Sequence, residues 1–108
     1  MEVLYRSTRG NGSTVTASNA ILKGLSEDGG LFVPDQIPAL EVPMEQLAQM
    51  SYQEVAYEVM SRFLTDFTEE ELKKCIQSAY DQKFDTDVIA PLVKADGAYY
   101  LELFHGST

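Results

Sequence analysis

The sequence predicts a small α+β domain with short strands, a C-terminal hairpin and two main antiparallel helices. Two capping-box patterns each precede an apolar stripe of helical period, which predicts the helices. An Asp-Gly pair between two apolar runs predicts the hairpin, and short β-prone runs bounded by Gly or Pro predict the other strands. A chain of 108 residues is long enough for one hydrophobic core and too short for two, so we expect a single domain over residues 1–108.

Short elements are predicted in the first 43 residues. Residues 3–7 are β-prone and run into residues 10–12, a Gly-Asn-Gly turn signal. Thr16 can cap a short helix that Gly24 ends, and residues 31–33 form a strand stopped by a proline. Two further prolines predict an irregular connector. The apolar positions of the short helix are Ala17, Ala20, Ile21 and Leu25.

The two main helices begin at Ser51 and at Thr68, each followed three residues later by a glutamate in the capping-box pattern. Only residues 65–67 connect the helices, which favours an antiparallel pair. Cys75 lies on the second stripe, where we expect a buried structural thiol. The first stripe is Tyr52, Val55, Ala56, Val59, Met60, Phe63 and Leu64, and the second is Leu72, Cys75, Ile76, Ala79 and Tyr80.

The hairpin is predicted from residues 92–94 and 99–104, which flank Asp96-Gly97. The second of these strands is almost continuously apolar, a pattern typical of strands covered on both faces. We therefore expect this strand to lie against a larger body. In the isolated chain its apolar surface should be exposed and favour self-association or mobility.

Charge and composition exclude several classes of function. The formal net charge of −9 argues against a nucleic-acid or anionic-membrane surface. Residues 1–40 hold four acidic and three basic side chains, whereas residues 41–102 hold thirteen and five, so an anionic ligand should approach the first third. The single cysteine allows no internal disulfide, and no metal-ligand cluster is apparent. Without a signal peptide or a ~18-residue apolar run, a cytoplasmic location is expected.

Residues 7–14 form the first candidate site. They combine hydroxyl groups, the Arg9 guanidinium and glycines that let backbone N–H groups turn inward, which are the components of a small anion site. The spacing is not that of a P-loop, because no Gly-Lys-Ser/Thr follows. An ordinary polar loop is the alternative.

The second and third candidates are residues 27–30 and the last residues of the chain. Asp28-Gly29-Gly30 predicts a turn that needs positive φ. The two acids of this segment, Glu27 and Asp28, have no nearby histidine or metal as a partner for general acid–base catalysis. His105 follows an apolar strand and precedes a glycine and two hydroxyl residues, where open α/β sheets place ligands. No motif places an acid behind its imidazole, so catalytic and structural roles both stay open.

Taken together, these blocks resemble the N-terminal part of the threonine synthases. The likeness covers essentially the whole chain in order, and the final block is the most specific. Its main blocks are Tyr5-Arg6-Ser7-Thr8-Arg9-Gly10, Gly24-Leu25, Asp28-Gly29-Gly30-Leu31-Phe32-Val33-Pro34, Ser51-Tyr52, Ala79-Tyr80 with Phe84, and Leu101-Glu102-Leu103-Phe104-His105-Gly106. Ser107 stands where the family commonly has proline, so we expect a looser turn with an additional hydroxyl group there.

The resemblance implies a fold-type II pyridoxal-phosphate enzyme that converts O-phospho-L-homoserine and water to L-threonine and phosphate. It also implies that the cofactor-binding lysine and the large cofactor domain follow Thr108. We therefore expect no catalytic or cofactor-binding residue in this segment, which alone should be inactive and should not bind pyridoxal phosphate. The candidates for the substrate pocket, shared with the downstream domain, are Ser7, Thr8, Arg9, Asp28, Gly29, Gly30, His105, Ser107 and Thr108.

Three alternatives remain at this point. A threonine-synthase-like phospholyase would share the segment and differ in its product, and a free-standing non-catalytic adaptor could use the same fold. Within the site, Arg9 either binds the substrate phosphate or pairs with a carboxylate such as Asp28 and joins the two turns.

Overall fold

A computed structural model describes residues 1–106, so Ser107 and Thr108 lie outside the described residues. Helices and small antiparallel sheets alternate along the chain, which confirms the predicted α+β class. No helix in this part of the chain is long and apolar enough to span a bilayer. The elements are β1 (Tyr5–Ser7), β2 (Thr14–Val15), α1 (Ala17–Lys23), β3 (Phe32–Pro34), α2 (Met44–Leu47), α3 (Tyr52–Phe63), α4 (Glu69–Ala79), β4 (Leu92–Ala95) and β5 (Ala98–Leu101).

The first sheet has the strand order β2-β1-β3, and both pairings are antiparallel. Ser7, the last residue of β1, lies opposite Phe32, the first residue of β3. The residues that follow β1 therefore meet the turn that precedes β3. Strand β2 was not predicted, because a strand of two residues is too short to show an alternation of apolar and polar side chains. It forms only by pairing with the edge of β1.

Helix α1 begins and ends as predicted. The Thr16 hydroxyl accepts a hydrogen bond from the backbone N–H of Asn19, and Gly24 ends the helix at φ 75°. The predicted apolar stripe is wrong in part: Ala17 and Ala20 are buried, but Ile21 is 62% exposed and Leu25 59%. The helix has only seven residues, and its buried residues are the two alanines.

Helices α3 and α4 pack on each other, and both predicted capping boxes are formed. Gln53 Nε2 donates to the Tyr80 carbonyl at 2.5 Å, and the Tyr52 and Tyr80 rings meet edge to face with centroids 5.0 Å apart. These contacts place the start of α3 beside the end of α4, which confirms the antiparallel arrangement. Leu72 and Ile76 of α4 are buried.

The prediction that Cys75 is a buried thiol is wrong. Cys75 and Ala79 are exposed, whereas Leu72 and Ile76 one turn apart are buried, so α4 uses only an i, i+4 stripe. A single partner helix covers that narrow stripe and leaves the adjacent positions in water. The connector is also more regular than predicted, since α2 forms one helical turn directly after a proline.

The C-terminal hairpin pairs β4 with β5 around Asp96 and Gly97, whose φ values of 51° and 76° are those of a primed turn. Strand β5 ends at Leu101, three residues earlier than predicted, because Pro91 precedes β4 and offers no N–H to continue the ladder. All eight strand residues are exposed, including Tyr99 at 67%. The apolar side chains of β5 are therefore exposed in this chain, as predicted.

Candidate functional site

Six of the predicted site residues form one group, here called the loop cluster: Ser7, Thr8, Arg9, Asp28, Gly29 and Gly30. Ser7 lies at the end of β1 with only 4% of its surface exposed. Its hydroxyl donates to Asp28 Oδ1 at 2.6 Å, and the Gly30 N–H donates to the same oxygen at 3.0 Å. Asp28 therefore connects the loop after β1 to the turn before β3.

The hydrogen bonds to Asp28 hold the pKa of its carboxyl below the usual range. The Ser7 hydroxyl is the main cause and the Gly30 N–H the next, with a smaller contribution from the positive charge of Arg9. Asp28 is therefore ionised at neutral pH, and its carboxylate already accepts hydrogen bonds from Ser7 and Gly30. This geometry favours a structural carboxylate over a general acid.

Arg9 joins the two turns through the backbone. Its side-chain Nη1 donates to the carbonyl oxygen of Asp28 at 2.8 Å, and the backbone N–H of Arg9 donates to Ser7 Oγ at 3.1 Å. The carboxylate of Asp28 accepts from Ser7 instead, so the Arg9–carboxylate pair that was one of the two alternatives is replaced by a bond to the Asp28 carbonyl. The Arg9 side chain lies at the exposed rim of the cluster, where other donors of the guanidinium face solvent.

Thr8 and the two glycines complete the loop cluster. The Thr8 N–H donates to the Leu31 carbonyl at 2.8 Å, and Thr8 Oγ1 accepts from the Leu31 N–H at 3.1 Å. Gly29 has the positive φ that the sequence predicted, 82°. Gly30 does not; a Cβ there would overlap Ser7 Oγ and lie 3.0 Å from Thr8 Oγ1, so close approach explains this glycine.

The cluster is supported by Asn11 and Ser13 of the predicted loop and by Ser26, which the sequence did not reveal. Asn11 Nδ2 donates to the hydroxyl of buried Ser26 at 3.2 Å, and Asn11 Oδ1 accepts from the Ser13 N–H at 3.0 Å. The Ser26 N–H donates to the Gly30 carbonyl at 2.9 Å. No sequence signal marks Ser26.

An open depression of about 510 Å³ lies beside the cluster, and it is lined by Arg6, Ser7, Thr8, Gly10, Gly12 and Val33.

His105 lies in a second group, with carboxylates on both sides of its ring. Nδ1 is 2.5 Å from Asp85 Oδ1, and Nε2 is 2.8 Å from Glu102 Oε1. These hydrogen bonds, that to Glu102 foremost, raise the pKa of His105 above its ordinary value. No sequence motif indicated an acid for this imidazole, but two acids contact it: Glu102 lies three residues before it, and Asp85 reaches it from a distant loop.

The structure brings together six of the nine predicted site residues. Among residues 1–106, no hydrogen bond joins the loop cluster to His105, and Ser107 and Thr108 fall outside that range. Within the same range, no three His, Cys, Asp or Glu side chains are arranged to hold a metal ion. The loop cluster can present hydrogen-bond donors to an anion, whereas both ring nitrogens of His105 are already occupied.

Comparison with known proteins identifies the class. A model of the N terminus of threonine synthase matches residues 4–80, so the chain belongs to the threonine synthase N-terminal family. Threonine synthase of Schizosaccharomyces pombe is 40% identical over 99% of the chain, which covers 21% of that protein.

Two solved structures share the fold. The crystal structure of threonine synthase from yeast superposes with a TM-score of 0.80 at 33% identity, over 95% of this chain and 22% of the other. The PLP-bound threonine synthase from Brucella melitensis gives 0.80 at 34% identity, over 98% and 23%. The chain therefore spans about a fifth of the length of the relatives it matches.

The lysines of this chain lack, in this structure, the desolvated surroundings that favour condensation with pyridoxal phosphate. An amine that condenses with the cofactor's aldehyde must lose its proton, which a desolvated pocket promotes. Lys73 instead bonds Glu69 at 2.6 Å, and this contact raises the pKa of the lysine and keeps it charged. All five lysines are exposed: Lys23, Lys73, Lys74, Lys83 and Lys94. We assign none of them a part in binding the cofactor.

Proposed function

We propose that this chain is the N-terminal segment of a cytoplasmic threonine synthase, which converts O-phospho-L-homoserine and water to L-threonine and phosphate. The match of the family model over residues 4–80 carries the proposal. The TM-score of 0.80 over almost the whole chain supports it. Pyridoxal phosphate is held by a separate, larger domain and supplies the electron-sink chemistry when bound there.

In this proposal the loop cluster forms part of the substrate pocket. Ser7, Asp28 and Gly30 fix the backbone, and Arg9 presents its solvent-facing donors to the substrate phosphate. The nearly neutral first third of the chain tolerates an approaching dianion better than the acidic remainder. In this proposal His105 contributes the pocket edge next to the cofactor domain, and Ser107 and Thr108 stay candidates that lie outside the described residues.

Arg9→Lys in the full-length enzyme tests the phosphate role. Lysine keeps the charge but loses the planar fork, so KM for O-phosphohomoserine should rise about 10- to 150-fold, equivalent to ~1.5–3 kcal/mol. The melting temperature should change little. Arg62→Lys is the matched control, because Arg62 lies on α3, outside the loop cluster and the depression beside it, where it pairs with Glu41.

The opposite pattern would return Arg9 to a structural role. An unchanged KM with a lowered melting temperature means that its bond to the Asp28 carbonyl only joins the two turns. Product analysis of the same enzyme distinguishes the reaction itself. Threonine and phosphate in equal amounts support a synthase, whereas phosphate with a different carbon product indicates a phospholyase, and no turnover indicates a non-catalytic adaptor.

A further inference from the structure

Residues 81–91 connect α4 to β4 without forming a helix or strand, yet they contact the chain beyond the hairpin at several points. The Asp85 N–H donates to the His105 carbonyl at 3.1 Å, and the Asp85 carboxylate faces Nδ1 of the same residue. One residue of the connecting segment therefore binds both the backbone and the side chain of His105.

The imidazole of His105 is 12% exposed and lies between two carboxylates. The charged groups that act on it are Asp85 from residues 81–91 and Glu102 from the stretch after β5, while the neighbouring Phe104 ring adds contact without charge. Only the protonated ring can donate from both nitrogens at once. A neutral ring would leave one carboxylate facing a lone pair.

Position 106 has no space for a side chain larger than that of glycine. Its backbone does not adopt a left-handed conformation, so alanine would be allowed there if space permitted. A Cβ would instead overlap the Phe84 ring, 2.8 Å from Cζ and 2.9 Å from Cδ1. The Phe84 ring stacks on Tyr80 with centroids 6.2 Å apart, and Tyr80 contacts Tyr52. This aromatic row connects Gly106 to the packed ends of α3 and α4.

We propose that Phe84 and Asp85 are positioning residues that clamp His105–Gly106 onto the helix pair, and that the clamp opens when His105 loses its proton. The geometry of the clamp stands independently, but its importance for catalysis rests on the proposed function. Because the pKa of His105 is raised, the clamp is complete below the ordinary histidine value of 6.5, as long as the two carboxylates stay ionised, and it weakens as pH rises through the folded pKa.

Hydrogen exchange in the full-length protein, corrected for the intrinsic rate at each pH, tests the clamp. Peptides covering residues 81–91 should be protected in mildly acidic buffer, below the ordinary histidine pKa of 6.5, and lose about fivefold protection in alkaline buffer, the equivalent of one hydrogen bond. Asp85→Asn should show the faster exchange at both pH values. Asp87→Asn is the matched control, because Asp87 is an exposed acid of the same segment without a hydrogen bond to His105 among residues 1–106. Equal exchange in Asp85→Asn and wild type would overturn the proposal.

A double-mutant cycle tests the shape of the clamp. Gly106→Ala should displace Phe84 and accelerate exchange of residues 81–91, and Phe84→Leu combined with Gly106→Ala should restore protection. In the kinetic arm, the same variants should lower kcat with little change in KM. Absence of rescue by Phe84→Leu contradicts the clamp. Failure of wild-type protein to turn over O-phosphohomoserine contradicts the proposed function instead, and the exchange data then decide the clamp alone.

Discussion

Among the individual residues, Asp28 has the most partners in the loop cluster. Its carboxylate accepts from the Ser7 hydroxyl and the Gly30 N–H, and its carbonyl accepts from Arg9. The ionised carboxylate gains its bonds from Ser7 and Gly30 only in the folded state. Because its folded pKa is lowered, Asp28 contributes stability above the unfolded value near ~3.9, and this contribution is lost as pH falls through the folded value.

Asp28→Asn should therefore flatten the acid limb of the stability curve. The amide oxygen can still accept from Ser7, but it carries no charge and cannot be protonated in this range. Urea unfolding of the full chain between pH 2.5 and pH 7, both values chosen to bracket ~3.9, measures the effect. Ser7→Ala, which removes the main donor, should flatten the same limb. Identical pH dependence in wild type and both variants would contradict this account of the cluster.

Local sequence signals predicted elements well where the stabilising contact is itself local. Ser51 and Thr68 begin their helices as expected because each cap involves residues three positions apart. The hairpin turn at Asp96-Gly97 is correct for the same reason. Strand β2 and the exposure of Cys75 were missed because they depend on which distant element covers each surface.

The capping box of α4 gives a direct test at this scale. Thr68 Oγ1 accepts from the Glu71 N–H at 3.2 Å, and Glu71 Oε1 accepts from the Thr68 N–H at 2.9 Å. Thr68→Ala should lower the free energy of unfolding by about 1 kcal/mol in urea denaturation. Thr68→Ser keeps the hydroxyl and should stay close to wild type. A serine variant as unstable as the alanine variant would mean that the threonine methyl group matters more than the cap.

At the scale of the whole molecule, the described site is divided. The loop cluster could be predicted in composition from Ser7, Arg9 and Asp28, but its bonding pattern could not, since Arg9 binds a carbonyl that no motif specifies. Asp85, which contacts His105, is twenty positions away in sequence, so no local sequence signal predicted this contact either. The exposed hairpin, with Tyr99 and Tyr100 in water, is the surface where the larger body of a threonine synthase would pack in the proposed enzyme.

In the proposed enzyme, this chain contributes substrate contacts while a separate domain binds the cofactor. The most direct test mixes the purified 108-residue chain with pyridoxal phosphate and O-phosphohomoserine, and records near-visible absorbance and phosphate release. Because all five lysines are exposed, we expect neither a stoichiometric absorbance band nor any phosphate. A band that borohydride abolishes, with the label on one specific lysine, would contradict the claim.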